Sequence, residues 1–502
     1  MSLKFLIVGF DGLRPSDVTP ETMPALSRFV AESHSWKNYL GQFPTETYVN
    51  HPSIFSGFRP GDHGIIANSF FNAAHEGEAR LFQGWSVESV MRQDALERGL
   101  YRVPDLGARL AREGKTLRIY CSNSAGSTRL QNIHASQSPG HLNCCVHAML
   151  KTLPPREAQM LARDHGDGVP LQFPDNRGTK MIVDLFFERE VPNGLGDVTF
   201  LWIGEPDHAE HAFPLSDPRV ADSRRVADRE FARVLDWWEA EGRAAGVQLV
   251  TISDHGIVEV ARHFDVAQYL EDQGFSVITS REIMQGEKIS EEDVVLVGCY
   301  AAGLWLPHRA PKRLLELRDA LMASPDVGLI FSQPDDRRPV SLEGRVPGTF
   351  SEALTSSAHR RGPDLRFVTR GDPETGRIVM TDDIPLGAGM HGGLLPQETH
   401  ALLAAAGSRF PGAGVHEEPA SHDDFSTTLM TMLSLLDDDA PLPLPSGRIL
   451  SEAMGIGAAS ELPTSETLTL SCGGFTQTLE RMLCRGHAYI TQGSRKADGW
   501  MP

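Results

Sequence analysis

The seven residues Lys4–Phe10, KFLIVGF, are apolar almost without a break, and an acidic side chain, Asp11, follows at once. A short apolar run closed by a polar turn predicts a strand buried on both faces. The pattern returns over 197–203, in DVTFLWIGEPD, and in VQLVTIS at 247–253. Between these runs apolar positions recur every three or four residues. This predicts helices over about 22–33, 178–189 and 217–244, and a helix followed by a strand over 104–121. Alternating strands and helices predict an α/β fold, with a largely parallel central sheet flanked by helices. From about 260 the pattern loosens: VVLVGCYAAGLWL reads as short strands, 310–323 as a helix, and the rest as loops rich in Gly, Pro and Arg. We therefore expect a smaller inserted subdomain at 261–385, between core segments 1–260 and 386–456. The core resumes with the strand HALLAAAG and the helix DDFSTTLMTMLSLL. A C-terminal extension, 457–502, carries strand-like TLTLSC and HAYITQG, which would add a sheet edge or reach a partner subunit in a homo-oligomer.

Charge narrows the partners. Lys plus Arg number 47 and Asp plus Glu 66, a formal charge of −19 over 502 residues. That weighs against a nucleic acid polymer or an anionic membrane. A small anionic substrate stays open, because bound cations invert the local sign. No stretch reaches the length of a membrane span, and the first apolar run is too short for a secretion signal. The six cysteines are sparse, with no C-x-x-C pair. A reducing, cytoplasmic setting without membrane attachment is expected.

In an open α/β sheet, functional groups gather beyond the carboxyl ends of the strands. Asp11 follows the first run, Asp207 and His211 the run ending near 203, and Asp254 and His255 follow VQLVTIS; His391 sits in GAGMHGG ahead of the late strand. One Asp after a strand is usually a turn or cap residue. Three carboxylates and three imidazoles in such places point instead to divalent cations. Six ligands divide into two sets of three, and two-cation sites serve phosphoryl transfer. Asp164-His165-Gly166 follows a helix and reads as a surface turn. His134, His141, Cys144, Cys145 and His147 fit no closed zinc spacing and read as a loop with partly buried thiols. His51 and His63 lie at no strand end and read as packing or turn histidines. The stretch PTETYVNH, 44–51, holds two threonines, and nothing local chooses between Thr45 and Thr47.

The motifs VGFDGLRP, PTETYVNHPSIFSGFRPGDHGIIANSF, EPDHAEH, TISDHG and GMHGG occur in order, and DDFSTTLMTMLSLL and PLPSGRILSEAMG follow. This order resembles the type I phosphodiesterase / nucleotide pyrophosphatase family of the alkaline phosphatase superfamily, over about residues 4–456. The resemblance implies an alkaline-phosphatase-like core and hydrolysis of phosphate diester or pyrophosphate bonds through a covalent phospho-threonine. It makes Thr47 the nucleophile and Asn68 the contact to a non-bridging phosphoryl oxygen. It assigns one cation, with Zn2+ expected, to Asp207, His211 and His391, and a second to Asp11, Asp254, His255 and Thr47. Metal coordination would favour the alkoxide of an otherwise weak hydroxyl nucleophile. Thr47 also falls at a predicted helix start, where free N–H groups favour an anion. Tyr48, Phe70 and Phe71 are the nearby aromatic groups that could hold a base. The substrate implied is a small phosphate ester, nucleotide or phosphonate. Val49, and Gly392-Gly393-Leu394-Leu395 after His391, depart from the family's pattern and bear on the substrate pocket. The alternative is a phosphomonoesterase or a phosphonoacetate hydrolase on the same core. A carboxylated substrate would need a cationic clamp, for which Arg14, Arg59, Lys115 and Arg129 are available.

Overall fold

The computed structural model describes residues 3–436, 442–455 and 461–496; the parts of the expected extension at 457–460 and 497–502 lie outside the described residues. Eight strands make the main sheet: β1 (Lys4–Phe10), β2 (His34–Trp36), β3 (Leu117–Cys121), β4 (Leu142–Cys145), β5 (Val198–Ile203), β6 (Val247–Ser253), β7 (Leu403–Ala406) and β8 (Gly414–His416). Their order is β8-β2-β7-β6-β1-β5-β3-β4. β1 runs parallel to β5 and β6, and β3 parallel to β5 and β4. In this sheet β7 alone runs against its neighbours. The α/β fold with a largely parallel sheet flanked by helices is therefore as the hydrophobic pattern predicts.

β1 shows why that pattern reads as unbroken. Phe5 and Ile7 join an apolar cluster with Phe200, Trp202, Val250 and Ile252. Leu6, Val8 and Phe10 join the opposite cluster with Leu201, Ile203 and Leu249. Both faces are roofed, so both parities must be apolar. The first face is covered by Ile54 and Phe55, Leu106 and Leu110, and Phe425 and Leu429. Leu26 and Phe29, Ile182 and Val183, and Phe231 and Val234 cover the second. Burying each such side chain contributes about 1.5–3 kcal/mol. Parity also aims the chemistry. Asp11 continues the odd positions of β1, and Asp254 continues the even positions Val250 and Ile252 of β6. Both emerge on the side of Trp202 and of the Thr47–Ile54 helix.

The chain leaves this layer after β6 and returns before β7. Val258–His263 and Gly389–Met390 pair antiparallel, so exit and return share one small sheet. Between them lies a second sheet, ordered Ser276–Thr279, Asp293–Val297, Ala301–Trp305, Leu365–Thr369, Val327–Ser332 and Phe350–Ser351. The C-terminal stretch forms its own antiparallel sheet of Thr464–Cys472, Phe475–Cys484 and His487–Arg495. Rather than extending the main sheet, it packs on the second one, where Ile330 N donates to Gln477 Oε1 at 2.9 Å, and on the loop that follows His391, where Gly493 N donates to Leu394 O at 2.8 Å. Its central strand, FTQTLERMLC, lacks a clear period-2 alternation and escapes the sequence reading. Among the described residues no helix is long and apolar enough to cross a membrane.

Candidate active site

Turns leaving β1, β3, β5 and β6 converge at the carboxyl edge of the main sheet. Asp11 and Asp254 come directly off β1 and β6 and are fully buried, as is His255. Asp207 opens the Asp207–Ala212 helix, and His211 stands one turn further on, its Nε2 3.2 Å from Asp207 Oδ1. His391, first after the Gly389–Met390 pairing, brings its Nε2 to 3.2 Å from His211 Nε2 and 3.5 Å from Asp207 Oδ1. Its ring stacks on His255 at 3.7 Å. His255 Nε2 lies 3.5 Å from Asp11 Oδ1 and 3.4 Å from Asp254 Oδ2. All six expected ligands thus meet in one hollow. The expected division into two sets is less sharp, because His255 stands between them.

The tautomers are fixed by carbonyl groups, which only accept. His391 Nδ1 donates to Thr45 O at 2.8 Å, His211 Nδ1 to Gly389 O at 2.9 Å, and His255 Nδ1 to Gly256 O at 2.9 Å. Burial keeps the His255 and His391 rings neutral, so their Nε2 atoms carry the lone pair that suits a cation. At His211 burial is outweighed by Asp207, which raises the group to about 9, and its Nε2 keeps a proton until a cation displaces it. Among the described residues the buried Asp207 Oδ1 and Asp254 Oδ2 have no hydrogen-bond partner. Buried polar atoms are normally satisfied, and a divalent cation fits both this deficit and the N/O donor set. Two groups of three, Asp207-His255-His391 and Asp11-His51-Asp254, have ligand atoms within 4.8 Å of one another.

Protonation shows what the hollow costs without such a charge. Burial first, and the charge of Asp207 second, push the Asp11 carboxyl up to about 7. Asp254 is raised well above the usual range by burial, then by Asp11 and Asp207. Burial also works to raise Asp207, but His211 foremost, with His391 and His255, outweighs it and holds the group low. Crowded carboxylates resist ionising together, and a cation removes that resistance.

Thr47 begins the Thr47–Ile54 helix, and its Oγ1 donates to Asp11 Oδ1 at 3.3 Å and lies 3.1 Å from His255 Nε2. Thr45 faces away: its Oγ1 donates to Gly393 O and accepts from Gly392 N, each at 3.0 Å. The geometry separates two hydroxyls that the sequence alone does not. The expected free N–H groups at this helix start are largely occupied. Tyr48 N donates to Asn68 Oδ1 at 3.0 Å, and Val49 N and Asn50 N donate to Glu46 O. Asn68 is half-buried with its amide oxygen engaged, and among the described residues nothing accepts from its Nδ2.

Three readings need correction. His51 is not a packing residue. It lies one helical turn after Thr47, fully buried, with Nε2 3.7 Å from Asp11 Oδ2 and 3.6 Å from Asp254 Oδ2. Its Nδ1 accepts from Gln131 Nε2 at 3.1 Å, so Nε2 carries the proton and faces both carboxylates. Burial holds the ring neutral. The i, i+4 spacing from Thr47 is the signal that finds it. Phe70 and Phe71 are core residues, one stacked on Phe82 at 4.6 Å and the other edge-on to Trp305. Tyr48 remains half-buried beside Trp85, its hydroxyl 3.2 Å from Ser124 Oγ. Cys144 and Cys145 lie in β4 and not in a loop, while His147 pairs with Asp175 at 2.9 Å. His63 bonds Ser53 and the Ile65 N–H as a turn histidine, and Asp164 stays at the surface against Arg163. Two further residues at the site carry no signal in the sequence. The Asn123 amide and the Trp202 indole, the latter at 3.0 Å, both donate to Asp11 Oδ2. Asn123 stands two residues beyond β3, a strand-end position that an amide does not advertise.

A family model for type I phosphodiesterase / nucleotide pyrophosphatase matches residues 5–372. A stretch of 70 residues is 37% identical to bis(5'-adenosyl)-triphosphatase ENPP4 of Homo sapiens and of Pongo abelii. That stretch covers 14% of this chain and 16% of either relative. Murine ectonucleotide pyrophosphatase / phosphodiesterase 5 superposes with a TM-score of 0.58 at 16% identity, covering 90% of this chain and 100% of that one. An inactive threonine-to-alanine variant of it, in complex with AMP, gives 0.59 at 16% identity, covering 90% and 98%. Both likenesses carry the fold.

Proposed function

The chain belongs to the type I phosphodiesterase / nucleotide pyrophosphatase family, and from that premise we propose that it hydrolyses phosphate diester or pyrophosphate bonds of small nucleotide-like substrates by attack of Thr47. The observation that carries the reading is the Thr47 hydroxyl set 3.3 Å from Asp11 Oδ1 and 3.1 Å from His255 Nε2, inside a hollow of six metal-type ligands. Asp207, His211 and His391 would hold one divalent cation, and Asp11, Asp254 and His255 a second, with Zn2+ the choice that suits mixed imidazole and carboxylate donors. Bound there, the cations supply Lewis-acid charge that lowers the pKa of the Thr47 hydroxyl and offsets charge growing on the phosphoryl group.

The chain's own residues do the rest. Asp11 Oδ1 accepts the Thr47 hydroxyl hydrogen, while Asn123 and Trp202 hold its other oxygen still. Asn68, oriented through Tyr48 N, offers Nδ2 to a non-bridging phosphoryl oxygen. A preorganised donor of this kind contributes about 10²–10³ in rate. In-line attack would form the Thr47 Oγ1–phosphorus bond as the phosphorus–oxygen bond to the alcohol or nucleotide leaving group breaks, and water would then cleave the phospho-threonine, releasing the phosphorylated product and restoring the hydroxyl. Tyr48, next to the nucleophile in the chain and with its ring centroid 6.5 Å from that of Trp85, is the aromatic face offered to a base.

The phosphonate alternative loses support, because its clamps are engaged elsewhere. Arg14 bonds Asp17, Arg59 bonds Asp423, and Arg129 bonds Lys151 O. Lys115 precedes β3, at the opposite edge of the sheet from the hollow. Six cysteines without a disulfide support a reducing compartment as part of the proposal. The test is a Zn2+-loaded hydrolysis panel of bis-p-nitrophenyl phosphate, thymidine 5'-p-nitrophenyl phosphate, bis(5'-adenosyl) triphosphate, p-nitrophenyl phosphate and phosphonoacetate. Diesters or the dinucleotide should turn over fastest. Faster turnover of the monoester or of phosphonoacetate overturns the reading.

A further inference from the structure

His391 is presented by a loop that a residue of the second sheet's segment holds in place. Tyr300, just before the Ala301–Trp305 strand, is 2% exposed, and its hydroxyl donates to Glu398 Oε1 at 2.9 Å. Glu398 is fully buried, and its two oxygens also accept Leu395 N at 2.9 Å and Gly393 N at 2.8 Å. Thr45 Oγ1 adds a contact to Glu398 Oε2 at 3.3 Å and ties Gly392 and Gly393 at 3.0 Å. The approach is too close for any side chain. A Cβ on Gly393 would stand 2.5 Å from Tyr300 Oη and 2.7 Å from Glu398 Oε1. The fastening involves the segment Gly392-Gly393-Leu394-Leu395 that follows His391.

We propose that Tyr300 is a positioning residue: through Glu398 it sets the loop that aims His391 Nε2 at Asp207, coupling the second sheet's segment to the metal hollow. The inference rests on reading His391 as a metal ligand. A partner that orients a metal-bound histidine typically changes metal affinity or activity by about 10–100-fold.

The experiment measures Zn2+ affinity by chelator competition, together with kcat and KM for bis-p-nitrophenyl phosphate and the unfolding temperature. It uses the full chain and the variants His391→Ala, Tyr300→Phe and Thr45→Val. His391→Ala should lose about one of two zinc ions; retention of both refutes the ligand reading itself. Tyr300→Phe keeps the ring and removes one oxygen. It should weaken one zinc site by about tenfold or more and lower kcat with little change in KM. Thr45→Val, isosteric and removing the hydroxyl that bonds Gly392 N, Gly393 O and Glu398 on the same loop, should do the same and serves if Tyr300→Phe does not fold. If His391→Ala loses a zinc while both loop variants bind two at wild-type affinity, the positioning role is overturned, even if their unfolding temperatures fall.

Discussion

Gly9→Ala puts one methyl group against the wall of the hollow, and the structure sets the size of the effect. Gly9 is paired in register with Trp202 on one side and Ile252 on the other. A Cβ there would lie 2.3, 2.5 and 2.8 Å from Trp202 Cε3, Cζ3 and Cδ2. Strands fixed on both sides cannot part, so the indole must move. It is also the donor to Asp11 Oδ2 at 3.0 Å and the edge-on neighbour of His51 at 4.3 Å. Overpacking a tight core costs about 1–3 kcal/mol. Losing a hydrogen bond to a carboxyl that burial keeps largely protonated without metal costs about 0.5–1.5 kcal/mol more, and the entropy gain of Ala over Gly returns about 0.5–1 kcal/mol. The expected net loss is about 0.5–4 kcal/mol. Urea unfolding of the metal-free protein measures it, and chelator competition should show weaker zinc binding. The double variant Gly9→Ala/Trp202→Phe separates the causes, since the smaller ring relieves the clash but has no N–H. It should recover stability while zinc affinity stays low. Wild-type stability in Gly9→Ala, or full recovery of zinc binding in the double variant, would refute the argument.

Further outcomes follow from the same geometry. Thr47→Ala should abolish turnover, by about 10³-fold or more, while still binding close to two zinc ions; residual activity near wild type counts against the nucleophile. His51→Phe should weaken zinc by about tenfold through lost orientation of Asp11 and Asp254, and unchanged affinity would return His51 to a packing role. The pH dependence has a definite sign. Asp11 sits at about 7 against an ordinary 3.8, so its contribution to metal-free stability is fully present below about 4 and is lost as pH rises through about 7. Zinc binds the ionised form, so zinc-induced stabilisation in thermal unfolding should be larger at pH 7.5 than at pH 5.5. An equal shift at both would falsify the assignment.

Residues that follow an unbroken apolar run are legible in this sequence because both faces of the main sheet are covered. Asp11, Asp254 and His255 interrupt such runs, and their polarity has no core explanation. Asp207 and His211 add a helical i, i+4 spacing. His51 was not legible by that rule, since its position depends on the pitch of the Thr47 helix and not on a strand end. Asn123 and Trp202 hold Asp11 through an amide and an indole, groups that serve equally in turns and cores. The occupied N–H groups of Tyr48, Val49 and Asn50 depend on how Asn68 and Glu46 fold back, which no local pattern encodes. The same is true of Tyr300 and Glu398, 98 residues apart in the chain. The antiparallel direction of β7 is set by where the chain returns beside Val258, a long-range matter.

The mechanism turns on attack of Thr47 on phosphorus. Acid-quenching the zinc-loaded protein during turnover of thymidine 5'-p-nitrophenyl phosphate, then mapping adducts by peptide mass spectrometry, tests it most directly. A nucleotidyl mass is expected on Thr47 and should disappear in Thr47→Ala; active enzyme that never carries an adduct, or carries it on Thr45 or elsewhere, would rule this attack out.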